Sequence, residues 1–206
     1  MSSITIQPGT DGVDSTMEQE APTTNYGQQA NAFDVGEDNT FVQLFRSCAK
    51  FSFLNIPSNS VINSAILTLT YQQDGNWRSS NSRTVRVYRS LRAFTEGLTW
   101  NTYDGTNNWG TAGAGNTTTD REATDIGSAT LSTTALAGDT VSITLTASAI
   151  EAMIPNGTFT NNGFILKVDT ESSDRFKFQT SEGSTASERP KIVIDYTSKP
   201  RGMIIF

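Results

Sequence analysis

Ala65-Ile66-Leu67-Thr68-Leu69-Thr70-Tyr71 decides the fold. Leu67, Leu69 and Tyr71 recur at every second position with threonines between them. Successive side chains of a strand point to opposite faces, so this pattern predicts a strand with one buried face. The same period recurs on both sides of it. Upstream, the odd positions from Phe41 to Phe53 include Phe41, Phe45, Ala49, Phe51 and Phe53, while the even ones carry Arg46, Cys48 and Lys50. Ile4 and Ile6 predict a short first strand. Downstream, Val85 and Val87, then Val141, Ile143 and Leu145, then Phe164, Leu166 and Val168 repeat the alternation. Phe176 with Phe178, and Ile192, Ile194 and Tyr196, close the series. Turn-forming pairs punctuate these runs, among them Pro8-Gly9, Asp104-Gly105, Asn156-Gly157 and Asn162-Gly163.

One stretch departs from this period. Ile150, Met153 and Ile154 fall at helical spacing, Thr146 or Ser148 stands where an N-cap belongs, and Pro155-Asn156-Gly157 stops the run. Two polar stretches, 77–83 and 101–125, read as long loops. The fold expected is therefore all-β: an antiparallel β-sandwich of the jelly-roll type with one short helix. Residues 1–198 form its single domain, and 199–206 form an apolar C-terminal tail.

Composition removes several functions. The chain holds no histidine and one cysteine, Cys48. Ser-His and Cys-His nucleophiles, histidine proton shuttles and an intrachain disulfide are excluded with them. The net charge of −6 argues against nucleic acid as a partner, because phosphate binding needs a clustered excess of Lys and Arg. No apolar run is long enough for a membrane-spanning helix, so no membrane partner is expected. The first residues, Met1 to Gly9, lack the basic and apolar regions of a secretory signal.

A set of motifs runs in order along the chain. It begins with Pro8-Gly9-Thr10-Asp11-Gly12-Val13-Asp14 and Pro22-Thr23-Thr24-Asn25-Tyr26-Gly27. Arg46-Ser47, Lys50-Phe51, Ile56-Pro57 and Ser64 to Leu69 follow. Then come Thr95-Glu96-Gly97, Thr99-Trp100-Asn101, Tyr103 to Thr106, Asn161 to Lys167, Ser181-Glu182 and Arg189-Pro190-Lys191. The set resembles the DNRLRE, or disaggregatase-related, domains, a family that overlaps alginate-binding carbohydrate-binding modules. The resemblance implies a non-catalytic jelly-roll sandwich of the kind found on secreted polysaccharide-active proteins and in phage virions. The family's helix commonly carries a Trp where this chain has Met153.

The candidate ligand-binding residues are Arg46 and Lys50, on one face of their strand, and Arg86 and Lys167 on theirs, with Trp77 and Arg78 at a loop tip. Guanidinium forks suit uronate carboxylates, so an acidic polysaccharide is the ligand this stripe would take. The same cations also suit a solvated face paired with Asp and Glu. Trp100, Tyr103 and Trp109 beside Glu96 read either as a sugar platform or as anchors that pin the long loop. Asp11, Asp14 and Asp195 are the residues a structural calcium ion would use, though no cofactor is expected. Glu18 with Glu20, or Glu96 with Asp104, are the pairs a glycosidase would need.

The sequence closes on Met203-Ile204-Ile205-Phe206, four apolar residues after a polar linker. Such an end is adhesive in water and reads as an assembly contact with other protein subunits. Tail and missing signal together favour a phage virion component, decorating the capsid or associated with a fibre, in which polysaccharide binding is a compatible second role. The alternative is an extracellular carbohydrate-binding module for an acidic polysaccharide such as alginate.

Overall fold

The computed structural model describes residues 1–9, 12–30, 33–38, 42–72 and 80–199. They form an antiparallel β-sandwich with one short helix, as the alternation predicts. The smaller sheet holds four strands in the order β1 (Ser2–Ile6), β11 (Lys191–Thr197), β5 (Val61–Thr70) and β8 (Thr140–Thr144). The larger runs β10 (Arg175–Phe178), β3 (Phe33–Asp38), β4 (Gln43–Lys50), β9 (Phe164–Val168), β6 (Arg83–Arg89) and β7 (Gly127–Leu131). Strand β2 (Val13–Glu18) also pairs with β4, from Val13 opposite Lys50 to Glu18 opposite Phe45.

The main core lies between the sheets. Leu67, Leu69, Ile143, Ile192 and Ile194 from the smaller sheet meet Val85, Val87, Phe164, Leu166 and Phe176 from the larger. These are the residues whose period-2 spacing marked the strands. Burying each such side chain contributes roughly 1.5–3 kcal/mol, which makes this face the main source of stability.

The helix α1 spans Ala147–Glu151 and is shorter than the run of apolar spacing suggested. Thr146 occupies the N-cap position, but no side-chain hydroxyl caps the helix there. Met153 and Ile154 are buried beyond its end, where Pro155 disfavours helical geometry at the residue before it. Glu151 Oε2 accepts the Ile62 N–H at 3.1 Å and ties the helix to β5. Among the described residues no helix is long and apolar enough to cross a membrane.

Candidate functional site

The outer face of the larger sheet is covered, which the sequence reading did not foresee. Residues 90–125 were expected to include a long loop; they lie over the sheet and enclose a second core. Phe94, Leu98, Trp100, Trp109 and Ala114 from this cover pack on Met17, Cys48, Tyr88 and Ile165 from the strands. The cover has almost no regular structure, so its backbone groups need other partners. Asp120 supplies three, accepting from the N–H groups of Gly110, Thr111 and Asn116 at 2.7–3.0 Å. Trp109 Nε1 donates to the Thr99 carbonyl at 3.0 Å, and Tyr103 packs edge-on against the same indole. Trp100 is 7% exposed and Trp109 5%. Both indoles are therefore anchors of the cover and present no open platform to a sugar.

Beneath this cover the sequence-predicted cations meet. Arg86 stands opposite Lys167 in the β6–β9 register. Arg46 donates through Nε and Nη2 to the two oxygens of Glu171 at 2.7 and 2.9 Å, and through Nη1 to the Gly113 carbonyl at 2.7 Å. Its guanidinium also faces the Trp100 ring, 5.3 Å from the centroid. Lys167 Nζ reaches the same Glu171 at 2.9 Å. Burial pushes the Glu171 carboxyl up, but the Arg46 hydrogen bond and the charges of Arg46 and Lys167 outweigh it and hold the group below the ordinary carboxylate value. Burial lowers the Lys167 ammonium. Arg121, which the sequence reading passed over, stacks on Tyr88 at 4.3 Å and joins the group. Arg86 is the open member, 37% exposed and paired with Asp125 at 3.1 Å. Lys50 lies apart, at the end of β4, where it pairs with Val13 of β2.

The carboxylates cast for chemistry have other work. Asp14 is buried in β2, where its carboxylate accepts the Ser181 N–H. Its backbone N–H donates to Glu96 Oε1 at 2.9 Å. Glu182, whose Oε1 accepts the Ser181 hydroxyl at 2.9 Å, adds its charge to theirs. Burial, then the charge of Glu182, raises Asp14 to about 7. Burial and the charges of Glu182 and Asp14 raise Glu96 to about 7 as well. Glu18 accepts from the Tyr26 hydroxyl and the Gln43 amide. Asp104 accepts from the Thr106 and Asn107 N–H groups in an exposed turn. The calcium grouping is not assembled. Asp14 belongs to the larger sheet, Asp195 to β11 of the smaller, where it accepts from Ser64 Oγ at 2.8 Å, and Asp11 lies outside the described residues. No group of three metal-ligating side chains occurs among the described residues.

An apolar recess lies elsewhere. A groove of about 680 Å³ opens where the chain leaves β4, between the end of β1 and the segment after α1. Phe51, Leu54, Met153, Ile154, Pro155 and Phe159 give it an apolar lining. Its walls are tied together: Asn161 Nδ2 donates to the Phe51 carbonyl at 2.7 Å, and the Phe159 N–H to the Ala152 carbonyl at 2.9 Å. Leu54 stands 81% exposed at this groove. Among the described residues, Lys50 is the one charged residue that lines it, and no carboxylate does. The alternation of Phe51 and Phe53 announced buried aromatics, but nothing in the spacing announced that the post-helix segment would stand across from them. Trp77, Arg78 and the tail residues Met203, Ile204, Ile205 and Phe206 lie outside the described residues.

A family model described as the disaggregatase related repeat domain matches residues 14–194, from β2 to near the end of β11. No curated protein matches the chain.

Proposed function

The chain belongs to the disaggregatase related repeat domain family, as its ordered motifs implied, and on that premise we propose that it is a non-catalytic module whose role is structural and binding. More finely, we propose a phage virion component, a decoration or fibre-associated protein that meets neighbouring protein subunits. The groove carries this reading. A recess of about 680 Å³ lined by Phe51, Leu54, Met153, Ile154, Pro155 and Phe159 gains most by taking the apolar side chains of a protein segment out of water. Among the described residues it has no carboxylate to serve as general acid or base. Of the carboxylates elsewhere that resemble a glycosidase pair, Glu18, Glu96 and Asp104 are engaged by backbone N–H groups and neighbouring side chains. A cryo-electron microscopy map of the native particle tests the reading. Density for this sandwich at regular positions on the virion is expected, and purified virions free of the chain would refute it.

A second reading rests on a different observation. Arg46, Arg86, Arg121 and Lys167 gather on one face of the larger sheet, and Arg86 remains open to solvent. An acidic polysaccharide such as alginate is the ligand whose carboxylates would complement that cluster. The two readings are compatible, since a virion protein can also hold a surface glycan.

A further inference from the structure

The groove and the apolar tail fit one another. Beside the groove lies a second recess of about 340 Å³ lined in part by Lys199, the last described residue. The two recesses share the segment Ile154-Pro155-Asn156-Gly157-Thr158 as a common wall. The chain thus leaves the sandwich next to the place where an apolar segment would be taken up. It leaves through three exposed residues, Thr197, Ser198 and Lys199, and a proline follows, which disfavours a helical turn at Lys199. Residues 200–206 can extend about 23 Å at roughly 3.3 Å each.

We propose that the groove receives Met203–Phe206 of a second copy of this chain. The inference rests on the assembly reading above and names its contact. Because Lys199 lines the recess beside its own groove, a two-fold arrangement that brings two copies together at this end sets each tail near the other's groove. Each copy then gives and receives the same contact, the closed and self-complementary form of dimer interface. Met203, Ile204, Ile205 and Phe206 enter the recess. Leu54, apolar and 81% exposed at the rim of the groove, becomes covered. Lys50 lies in the same lining, where its aliphatic stem adds to the apolar surface.

Cysteines placed at Leu54 and Ile205 in the full chain, Leu54→Cys with Ile205→Cys, test the contact by mild oxidation. The native Cys48 is buried and does not compete. A disulfide-linked dimer on a non-reducing gel, absent from either single variant, is expected. A link formed only within one chain would overturn the inference in favour of a tail folded onto its own groove. Sedimentation then separates this inference from the reading it rests on. Leu54→Asp, at an exposed site that folding does not need, is expected to weaken self-association about tenfold or more. Removal of residues 200–206 is expected to abolish it. If the full chain associates but neither the cysteine pair nor Leu54→Asp responds, the groove is not the receptor, though assembly stands. If the full chain and the truncated chain are both single molecules, the assembly reading falls as well.

Discussion

Arg46 and Glu171 form a two-pronged ion pair, with donor–acceptor distances of 2.7 and 2.9 Å, that joins the middle of β4 to the turn after β9 under the Trp100 ring. Both side chains are 12% exposed. Removing one partner strands the other in a poorly solvated place, whereas removing both leaves only Lys167 without its Glu171 contact. Arg46→Met or Glu171→Met is therefore expected to cost about 2–4 kcal/mol in urea unfolding, and the double variant Arg46→Met with Glu171→Met to recover part of that loss. Equal and additive losses would mean that the pair contributes little.

The cover over the larger sheet makes a sharper demand at Gly113. This residue has a φ of +70°, and a Cβ there would come within 2.7 Å of the Trp100 ring. Gly113→Ala is expected to destabilise by about 1–3 kcal/mol and to shift tryptophan emission toward the red as Trp100 loosens. Unchanged emission would contradict the packing described.

Stability is expected to fall as pH rises through the window from about 4 to about 7. Asp14 and Glu96 have ordinary values of 3.8 and 4.5 and folded values of about 7. The folded chain therefore keeps protons in that window that the unfolded chain has lost. Their contribution is fully present below the unfolded values and is lost as pH passes the folded ones. The urea midpoint is expected to be higher at pH 5 than at pH 8. Asp14→Asn, which keeps an acceptor for the Ser181 N–H, should flatten that dependence. A midpoint that rises between these pH values would count against the cluster.

Arg86 is where a polyanion would first make contact. Arg86→Ala is expected to weaken retardation in an alginate-containing native gel about three- to tenfold with the fold intact, as loss of one charge-assisted contact implies. Arg46→Ala tests the same patch from its covered side. Unchanged mobility in both variants would remove the polysaccharide reading of this face.

The strands that could be read from the sequence are those with one apolar face. Leu67 and Leu69, and Val85 and Val87, alternate with polar residues, Ile192 and Ile194 recur at the same period around Val193, and each sits in the main core. Strands β2, β3 and β7 escaped. Val13–Glu18 is largely polar in composition yet mostly buried, because a second core covers its other side. Phe33–Asp38 carries a glycine and three acidic residues. Gly36 has a φ of +115° at a point where any side chain would run into the Asp174 carbonyl, so its presence reflects a close approach that only the fold reveals. Gly127–Leu131 is made mostly of small residues and has little apolar pattern to offer.

At the candidate site, residue types were legible and their partners were not. Arg86 and Lys167 were placed on one face, and they are indeed cross-strand neighbours. What period-2 spacing cannot supply is Glu171, which reaches Arg46 across 125 positions of sequence. It also cannot show that an irregular segment rich in Gly, Thr and Asn would fold over the strands. That segment is held by carboxylate and carbonyl acceptors such as Asp120 and the Thr99 carbonyl, which leave no periodic trace. The groove is likewise a product of two segments about 100 positions apart, joined through the Asn161 amide and the Phe51 carbonyl.

The claim that this module acts by associating is tested most directly by sedimentation equilibrium of the intact chain over a wide concentration range. One chain weighs 22.3 kDa. The account predicts a mass that rises with concentration to at least twice that value. A mass that stays at 22.3 kDa at every concentration would contradict it.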